Sequence, residues 1–342
     1  MGGLATYALK RGGTLHPLLL PKSVLGNETG IMNPSIYLHQ GKILLNIRHV
    51  NYILYHSEGK RFPHQWGPLA YIHPENDVAL KTHNVMCEID ENVNLISAGR
   101  VNMKLDTKPT WNFVGLEDAR LFEWEGKLYL CGVRRDCYDD KGKGRMELCH
   151  IEFNEEEKEW QEQSRHPIPA PGDDSSYCEK NWMPVLDMPY HFVKWCNPTQ
   201  VVKFDIEKGT TEIAFEDTNE RKPYAKDFRG GSQVVRINEN QRMAFVHETN
   251  LLRDPFGRKD GDYSHRVLIW DNDWNLIHAS RKFHFLGTYY DHVTNIDYNI
   301  EFVTGMAMIG NDILISFGFQ DNACFILKVP QPVFLEFLKD NG

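Results

Sequence analysis

The sequence predicts an all-β fold, a five-bladed β-propeller with four-stranded antiparallel blades around a central channel, and three observations predict it. Apolar and polar residues alternate with the period of a strand along most of the chain, while runs with helical period are scarce. A unit made of an apolar strand, a turn on Gly or Asn, a second apolar strand and then strands around an acidic turn recurs five times. Each recurrence opens on polar residues, where a strand entering a core would carry Val, Ile or Phe.

The first unit opens with NPSIYLHQGKILLNIRH and, after a long insertion, continues through NVMCEIDENVNLISAGR. The second runs EDARLFEWEGKLYLCGVRRD and then MELCHIEFNEEEKEW; the third is KNWMPVLDMPYHFVKW with QVVKFDIEKGTTEI. The fourth is GGSQVVRINENQRMAFVHE with HRVLIWDNDWNLIHAS, and the fifth VTGMAMIGNDILISFGFQD with NACFILKV. At roughly 50 to 85 residues per unit the repeat exceeds a WD40 or kelch blade, so the surplus belongs to loops. One propeller over residues 1–342 is expected, with blade starts near 31, 117, 179, 229 and 301. The one helical candidate is Pro332 to Leu338.

Composition narrows the partners. A hydrophobic fraction of 41% and a charged fraction of 25% suit a folded globular chain. The formal net charge of −9 argues against a generally basic nucleic-acid or membrane-surface protein. It leaves only a locally basic face for a nucleic-acid or lipid-linked acceptor. Seven cysteines without a CxxC pair or a zinc spacing read as reduced thiols, and no metal is expected. Leu18 to Leu20 lie between Pro17 and Pro21, too short for a signal sequence, and no window approaches a membrane span, so a cytoplasmic location is expected. GxGxxG, Walker, HExxH and GxSxG motifs are absent.

In a propeller the innermost strand of every blade begins at one rim, where the loops converge. The polar starts are Asn33; Glu117, Asp118 and Arg120; Glu179, Lys180 and Asn181; Arg229, Gly230, Gly231 and Ser232; and Glu301 and Thr304. Five sets in register point to one pocket, although each alone could merely supply hydrogen-bond partners at a strand start. With side chains alternating along a strand, Asp118 and Arg120 should point into the channel together, with Glu117 and Ala119 away; an ion pair tying two blades is the structural alternative. The second strand of each blade returns to this rim with Arg48 and His49, Arg134 and Arg135, Lys194, His247 and Glu248, and Asp321, and the next strand adds His265 and Arg266. Arg134 and Arg135, beside a charged loop, read as solvated. Cations gathered around a few carboxylates favour an anionic ligand, phosphate first. Trp66, Trp111, Trp182, Trp195 and Tyr263 near the rims are either sugar platforms or core residues.

At these residues the chain resembles the five-bladed propellers of glycoside hydrolase family 130, the β-mannoside phosphorylases and β-1,2-mannosidases, and the related β-1,2-mannosyltransferases of glycosyltransferase family 108. NPSIYLHQGKILLNIR looks like the family's first-blade pattern and GLEDARLF like its G.EDPR signature, and the likeness extends over about residues 31 to 329. The resemblance implies an inverting enzyme with Asp118 as its single catalytic carboxylate, a general acid that relays its proton through a sugar hydroxyl in phosphorylases. It implies Arg48, Lys180, Asn181, His247 and Arg266 as ligands for phosphate or a donor-sugar phosphate, and Arg120 and Ser232 as residues holding the sugar. Asn33, Glu117, Trp182, Glu248, Glu301 and Asp321 complete the expected sugar site, and His265 the donor site. Ala119 in place of the family's proline, together with EKNW and FRGGSQ, marks a divergent branch.

The expected function is transfer of a glycosyl group, mannosyl by the resemblance, from a phosphorylated donor to a glycan acceptor. Inorganic phosphate, a sugar phosphate or a nucleotide sugar would be substrate, with no resident cofactor. Phosphorolysis or hydrolysis of β-mannosides is the alternative; hydrolysis needs a second carboxylate, Glu248, Glu301 or Asp321, about 6.5 to 9.5 Å from the first. A non-catalytic glycan-binding propeller is the third reading.

Overall fold

The computed structural model describes residues 3–28, 30–54, 71–72, 76–172, 175–218, 228–253, 259–287, 289–291 and 296–342. Five antiparallel sheets form a five-bladed propeller. Blade 1 consists of Gly30–His39, Lys42–Val50, Leu80–Ile89 and Leu95–Arg100; blade 2 of Glu117–Trp124, Lys127–Arg134, Arg145–Asn154 and Glu159–Ile168. Blade 3 consists of Met183–Pro184, His191–Cys196, Thr199–Asp205 and Thr210–Glu216. In blade 4 the inner edge is split into Arg229–Gly230 and Val235–Asn238, both paired with Gln241–Arg253, followed by Lys259–Asp271 and Leu276–Ala279. Blade 5 contains Glu301–Ile309, Asp312–Phe319 and Ala323–Pro330.

The fourth strand of blade 5 is Thr14–Pro17 from the chain's start, paired Thr14 to Lys328 through Pro17 to Phe325. The fifth sequence unit therefore holds only three strands, and the ring is closed by joining the two ends of the chain. Two short helices, Leu4–Leu9 and Lys22–Leu25, were not expected. Six and four residues are too few for helical period to be read, and the first is held by tertiary contact instead: Leu4, Ala5 and Ala8 are buried with Phe283, Phe285 and Phe334. The expected C-terminal helix spans Gln331–Asp340.

Each blade interface carries its own apolar cluster. Leu44 and Met86 of blade 1 face Leu121, Leu128 and Leu130 of blade 2, whereas the alternating neighbours Leu45, Val85 and Cys87 face Leu314 and Ile326 of blade 5. Phe122, Tyr129 and Cys131 of blade 2 turn the other way, onto Trp182, Phe192 and Val202 of blade 3. Blades 3 and 4 meet through Val193, Val201, Val246 and Leu268, and blades 4 and 5 through Phe245, Val267, Val303 and Phe317. Both faces of the middle strands are buried, which is why segments such as ILLNI carry near-continuous apolar runs.

At the hub, Gln233 joins the inner strands of three blades at once. Its Nε2 donates to Leu121 O at 2.6 Å, Ile36 O at 3.0 Å and Ser35 Oγ at 3.2 Å, and its Oε1 accepts from Met306 N at 3.2 Å. Ser35 Oγ also accepts from Leu121 N, and Thr304 Oγ1 donates to Pro34 O at 2.8 Å. The channel is thus crossed by polar bonds at this level, below the rim where the inner strands begin.

Candidate active site

A shared backbone distortion builds the rim. Asn33, Asp118 and Asn181, at the inner-strand starts of blades 1, 2 and 3, all adopt the left-handed conformation, with φ of 50°, 50° and 62°. Asn and Asp tolerate that region better than other side chains. The pairing registers shift beside the first two, between Met32 and Ser35 and between Cys131 and Val133, as β-bulges do where side chains must be re-aimed. Gly132 permits the second bulge, since a Cβ there would stand 2.3 Å from Glu117 O. Strand alternation therefore fails at the EDAR segment. Glu117 and Asp118 both converge on Arg48, with Nη2 3.3 Å from Glu117 Oε2 and Nη1 2.9 Å from Asp118 Oδ1.

Arg120, expected beside Asp118 in the channel, is instead 1% exposed and acts as a strut across the hub. Its Nε donates to Gly231 O at 2.9 Å, and its Nη1 to Asp118 O at 2.8 Å and Asn181 Oδ1 at 3.3 Å. Burial lowers its guanidinium to about 10, with Asp118 opposing.

Asp118 keeps 17% of its side chain exposed. Oδ1 accepts from Asn33 Nδ2 at 2.7 Å and from Arg48, while no bond reaches Oδ2 among the described residues. Burial alone would raise this carboxyl; Arg48, the Asn33 bond and Arg120 outweigh it and hold it below the ordinary aspartate range. Arg48 is fully engaged: Nε donates to Thr82 Oγ1 at 3.2 Å and Nη2 to Tyr52 hydroxyl at 2.5 Å. It is the carboxylates' partner, with no arm left for the phosphate expected of it.

The cations left for a ligand stand at the starts of blades 3 and 4. Lys180 and Arg229 are exposed and, among the described residues, make no side-chain hydrogen bond or ion pair. Both act on His247, which burial and then Arg120, Arg229 and Lys180 push down to about 3, so it is neutral. Its ring stacks on Tyr263 with centroids 5.8 Å apart, and its buried Nδ1 has no partner among the described residues. Burial and Asp321 push the Tyr263 phenol up to about 12, with Arg229 opposing and Asp118 adding. Tyr52, also raised by burial, senses Arg48, Glu117, Asp321 and Asp118. Asp118, Asp321, Arg229, Lys180, His247 and the two tyrosines thus share one electrostatic neighbourhood. Tyr52 is a site residue that the sequence analysis does not name; its position four residues after Arg48, just past the end of Lys42–Val50, is the signal that could have found it.

Other expected site residues lie in the walls. Trp182 is core, its indole donating to Glu179 Oε2, and Lys194 is paired to the same glutamate at 3.2 Å. Ser232 Oγ donates to Gln233 O and accepts from Phe245 N. Glu301 accepts from Phe285 N at 2.6 Å and Leu286 N at 2.8 Å; burial raises its carboxyl to about 7 against those bonds. It clamps the 285–286 segment, to which Ala5 N is bonded, and both of its oxygens are engaged there. His265 is buried against Phe285 and pushed well down by burial, so it offers no charge to a donor phosphate. Arg266 pairs with Glu248 on the blade 4 face that carries Val246 and Phe228, opposite to His247. Arg134, read as solvated, is 2% exposed and joins Glu147 at 2.7 Å and Asp106 at 3.0 Å in a buried ion network. Trp195 is exposed on blade 3, and Trp66 lies outside the described residues.

The buried histidine sets a pH dependence. His247 titrates near its ordinary value in the unfolded chain and near 3 when folded, so the unfolded state binds more protons between these values and stability rises with pH across that window. Chemical denaturation between pH 4 and 7 should show a midpoint that falls with acidification, and less steeply in His247→Gln; equal slopes would remove the assignment.

Among known proteins, no family model and no curated sequence matches the chain. Solved structures match in fold. A β-1,2-mannobiose phosphorylase from Listeria innocua in complex with β-1,2-mannobiose superposes with a TM-score of 0.53 at 12% identity, covering 92% of this chain and 93% of that one. A structure from the GH130 family of mannoside phosphorylases, whose glycoside hydrolases target β-1,2 mannosidic linkages in Candida mannan, gives 0.54 at 12% over 88% and 84%. A glycosyl hydrolase from Bacteroides ovatus gives 0.52 at 10% over 96% and 90%. The chain thus has the propeller fold of the GH130 structures, carried by a sequence far from theirs.

Proposed function

We propose that the chain is an inverting glycoside phosphorylase acting on β-mannosides, with Asp118 as the proton-transferring carboxylate and Lys180, Arg229 and His247 facing the phosphate. The observation that carries this reading is the division of charge: Asp118's guanidinium partner is saturated, while two cations across the site have no partner among the described residues. Unpaired cations beside a neutral imidazole suit a divalent anion. The neighbouring folds include phosphorylases of this substrate class.

In the forward reaction a phosphate oxygen attacks C1 from the face opposite the leaving group. The glycosidic C–O bond breaks, and the departing oxygen takes a proton from Asp118, directly or through a sugar hydroxyl. The products are an inverted sugar 1-phosphate and a shortened glycan. Asp118 must be protonated at the start, and the charge of bound phosphate raises its pKa against Arg48's pull. In reverse, the ionised Asp118 of the resting site takes the proton of an acceptor hydroxyl as sugar 1-phosphate donates its glycosyl group. Phosphorylases and hydrolases among the neighbouring folds favour this alternative of the sequence reading over the glycosyl transfer it put first.

Hydrolysis is the second reading, favoured by one observation: Tyr52 and Tyr263 both sense Asp321 together with Asp118, which makes Asp321 the carboxylate to activate a water. The test is incubation with β-1,2-mannobiose with and without phosphate, followed by ³¹P and ¹H NMR. Mannose 1-phosphate of inverted configuration, formed only with phosphate, is expected. Mannose released equally without phosphate would move the assignment to hydrolysis, and no release from a panel of β-mannosides would reject both.

A further inference from the structure

We propose that a shelf on the upper rim of blade 2, made by Trp111, Phe113, Arg135 and Tyr177, is a second carbohydrate subsite that holds a neutral sugar of the acceptor side, beyond the bond acted on at Asp118. The proposal rests on the phosphorolytic reading above and extends it to the glycan's length.

Three connections meet there: the one leading into Glu117, the one between the second and third strands of blade 2, and the one leading out of blade 2. They are locked to one another. Thr110 Oγ1 donates to Asp136 O at 3.0 Å and Asp139 O at 2.7 Å, while Asp139 Oδ1 accepts from Lys141 N and Lys143 N. Gly142, at φ 75°, lets the Trp111 indole lie on the loop, since a Cβ there would stand 2.2 Å from Nε1. Gly144 N donates to Tyr177 O at 3.0 Å and Glu179 N to Gly144 O at 3.0 Å.

On this rigid base Tyr177 is 57% exposed, yet its ring is not free to swing. The hydroxyl accepts from Arg135 Nη2 at 2.7 Å and donates to Lys141 O at 3.0 Å, and the same guanidinium lies 5.4 Å from the ring centroid, so the polar end is fixed while more than half of the residue stays exposed. Arg135 is itself held by Gly142 O at 3.0 Å, with its guanidinium 5.1 Å from the Phe113 centroid. An immobilised aromatic ring beside hydrogen-bonding groups matches a pyranose, with its apolar C–H face and rim of hydroxyls. Phosphate fits less well, because Arg135, the guanidinium of the shelf, is already engaged. The chain itself connects shelf and site: Cys178, next after Tyr177, is bridged to Gly144, and Glu179 and Lys180 follow it directly.

Titration of wild type, Tyr177→Ala and Tyr177→Phe with β-1,2-mannobiose and β-1,2-mannotriose by calorimetry, with parallel turnover in phosphate, tests this. Tyr177→Ala is expected to weaken the trisaccharide about tenfold and raise its KM with little change in kcat or in the phosphate KM, and Tyr177→Phe, which keeps the ring but loses the bonds that hold it, to fall between wild type and Tyr177→Ala. Saturation-transfer NMR on the wild type, from aromatic protons to the sugar's C–H protons, gives a readout that needs no variant. Turnover with equal trisaccharide affinity in Tyr177→Ala, or a phosphate KM that rises as much as the glycan's, overturns the subsite alone. A wild type that neither binds nor cleaves either glycan overturns the subsite and the phosphorolytic reading together.

Discussion

Asp118→Asn is expected to lower turnover about 10²- to 10⁴-fold while leaving the site assembled. The amide keeps the size of the carboxylate, and its oxygen can still accept from Asn33 and Arg48, so the left-handed bulge and the hub strut of Arg120 have no reason to move. The group that gives or takes a proton is what disappears. Removing the charge leaves Arg48 with Glu117 and the Tyr52 hydroxyl, so some stability goes as well. The sign follows from the depressed pKa: Asp118 stabilises the fold above its ordinary aspartate range, and that contribution is lost as pH falls through its lower folded value. Wild type and variant should therefore differ in denaturation midpoint at neutral pH and converge in acid. The direction of catalysis adds a second signature. Phosphorolysis needs the protonated form and synthesis the ionised one, so titration of Asp118 should lower the forward rate as pH rises and the reverse rate as pH falls. A variant retaining more than a tenth of wild-type turnover in both directions would remove Asp118 from proton transfer.

The ring of blades was legible because strand period and turn chemistry are local, and five copies reinforce one another. The closing strand was not: Thr14–Pro17 pairs with a segment more than three hundred residues away, and four residues carry no pattern of their own. Within the site, residue types and their approach to one rim could be read, but not which side chains would face a ligand. Asp118 and Glu117 converge only because a left-handed residue and a register shift break the two-residue period, a distortion that Asn33 and Asn181 share and that appears in the sequence merely as Asn or Asp at a strand start. Arg48 and Arg266 looked like free cations because their acidic partners, Asp118 and Glu248, lie on other strands. Lys180 and Arg229 looked no different, yet of the expected rim lysines and arginines they are the two without a side-chain partner among the described residues.

Gln233→Leu is expected to cost about 3 to 5 kcal/mol, the largest loss of stability from a single side chain at the hub. The substitution keeps approximate volume and removes an amide that serves the backbones of three blades: Ile36 O in blade 1, Leu121 O in blade 2 and Met306 N in blade 5. Each is buried at the axis, and an unpartnered buried backbone group costs roughly 1 to 3 kcal/mol. Leucine brings apolar contact in exchange, but not at the positions where those groups point. Thr304→Val isolates a smaller effect, because it deletes only the bond to Pro34 O and should cost about 1 kcal/mol. If both effects come from the hub, urea unfolding will show the Gln233 variant losing several times what the Thr304 variant loses, with the same denaturant slope. A Gln233→Leu protein within 1 kcal/mol of wild type would mean that the five apolar interfaces hold the ring without its polar centre, and that Gln233 only fills space above which the site is built.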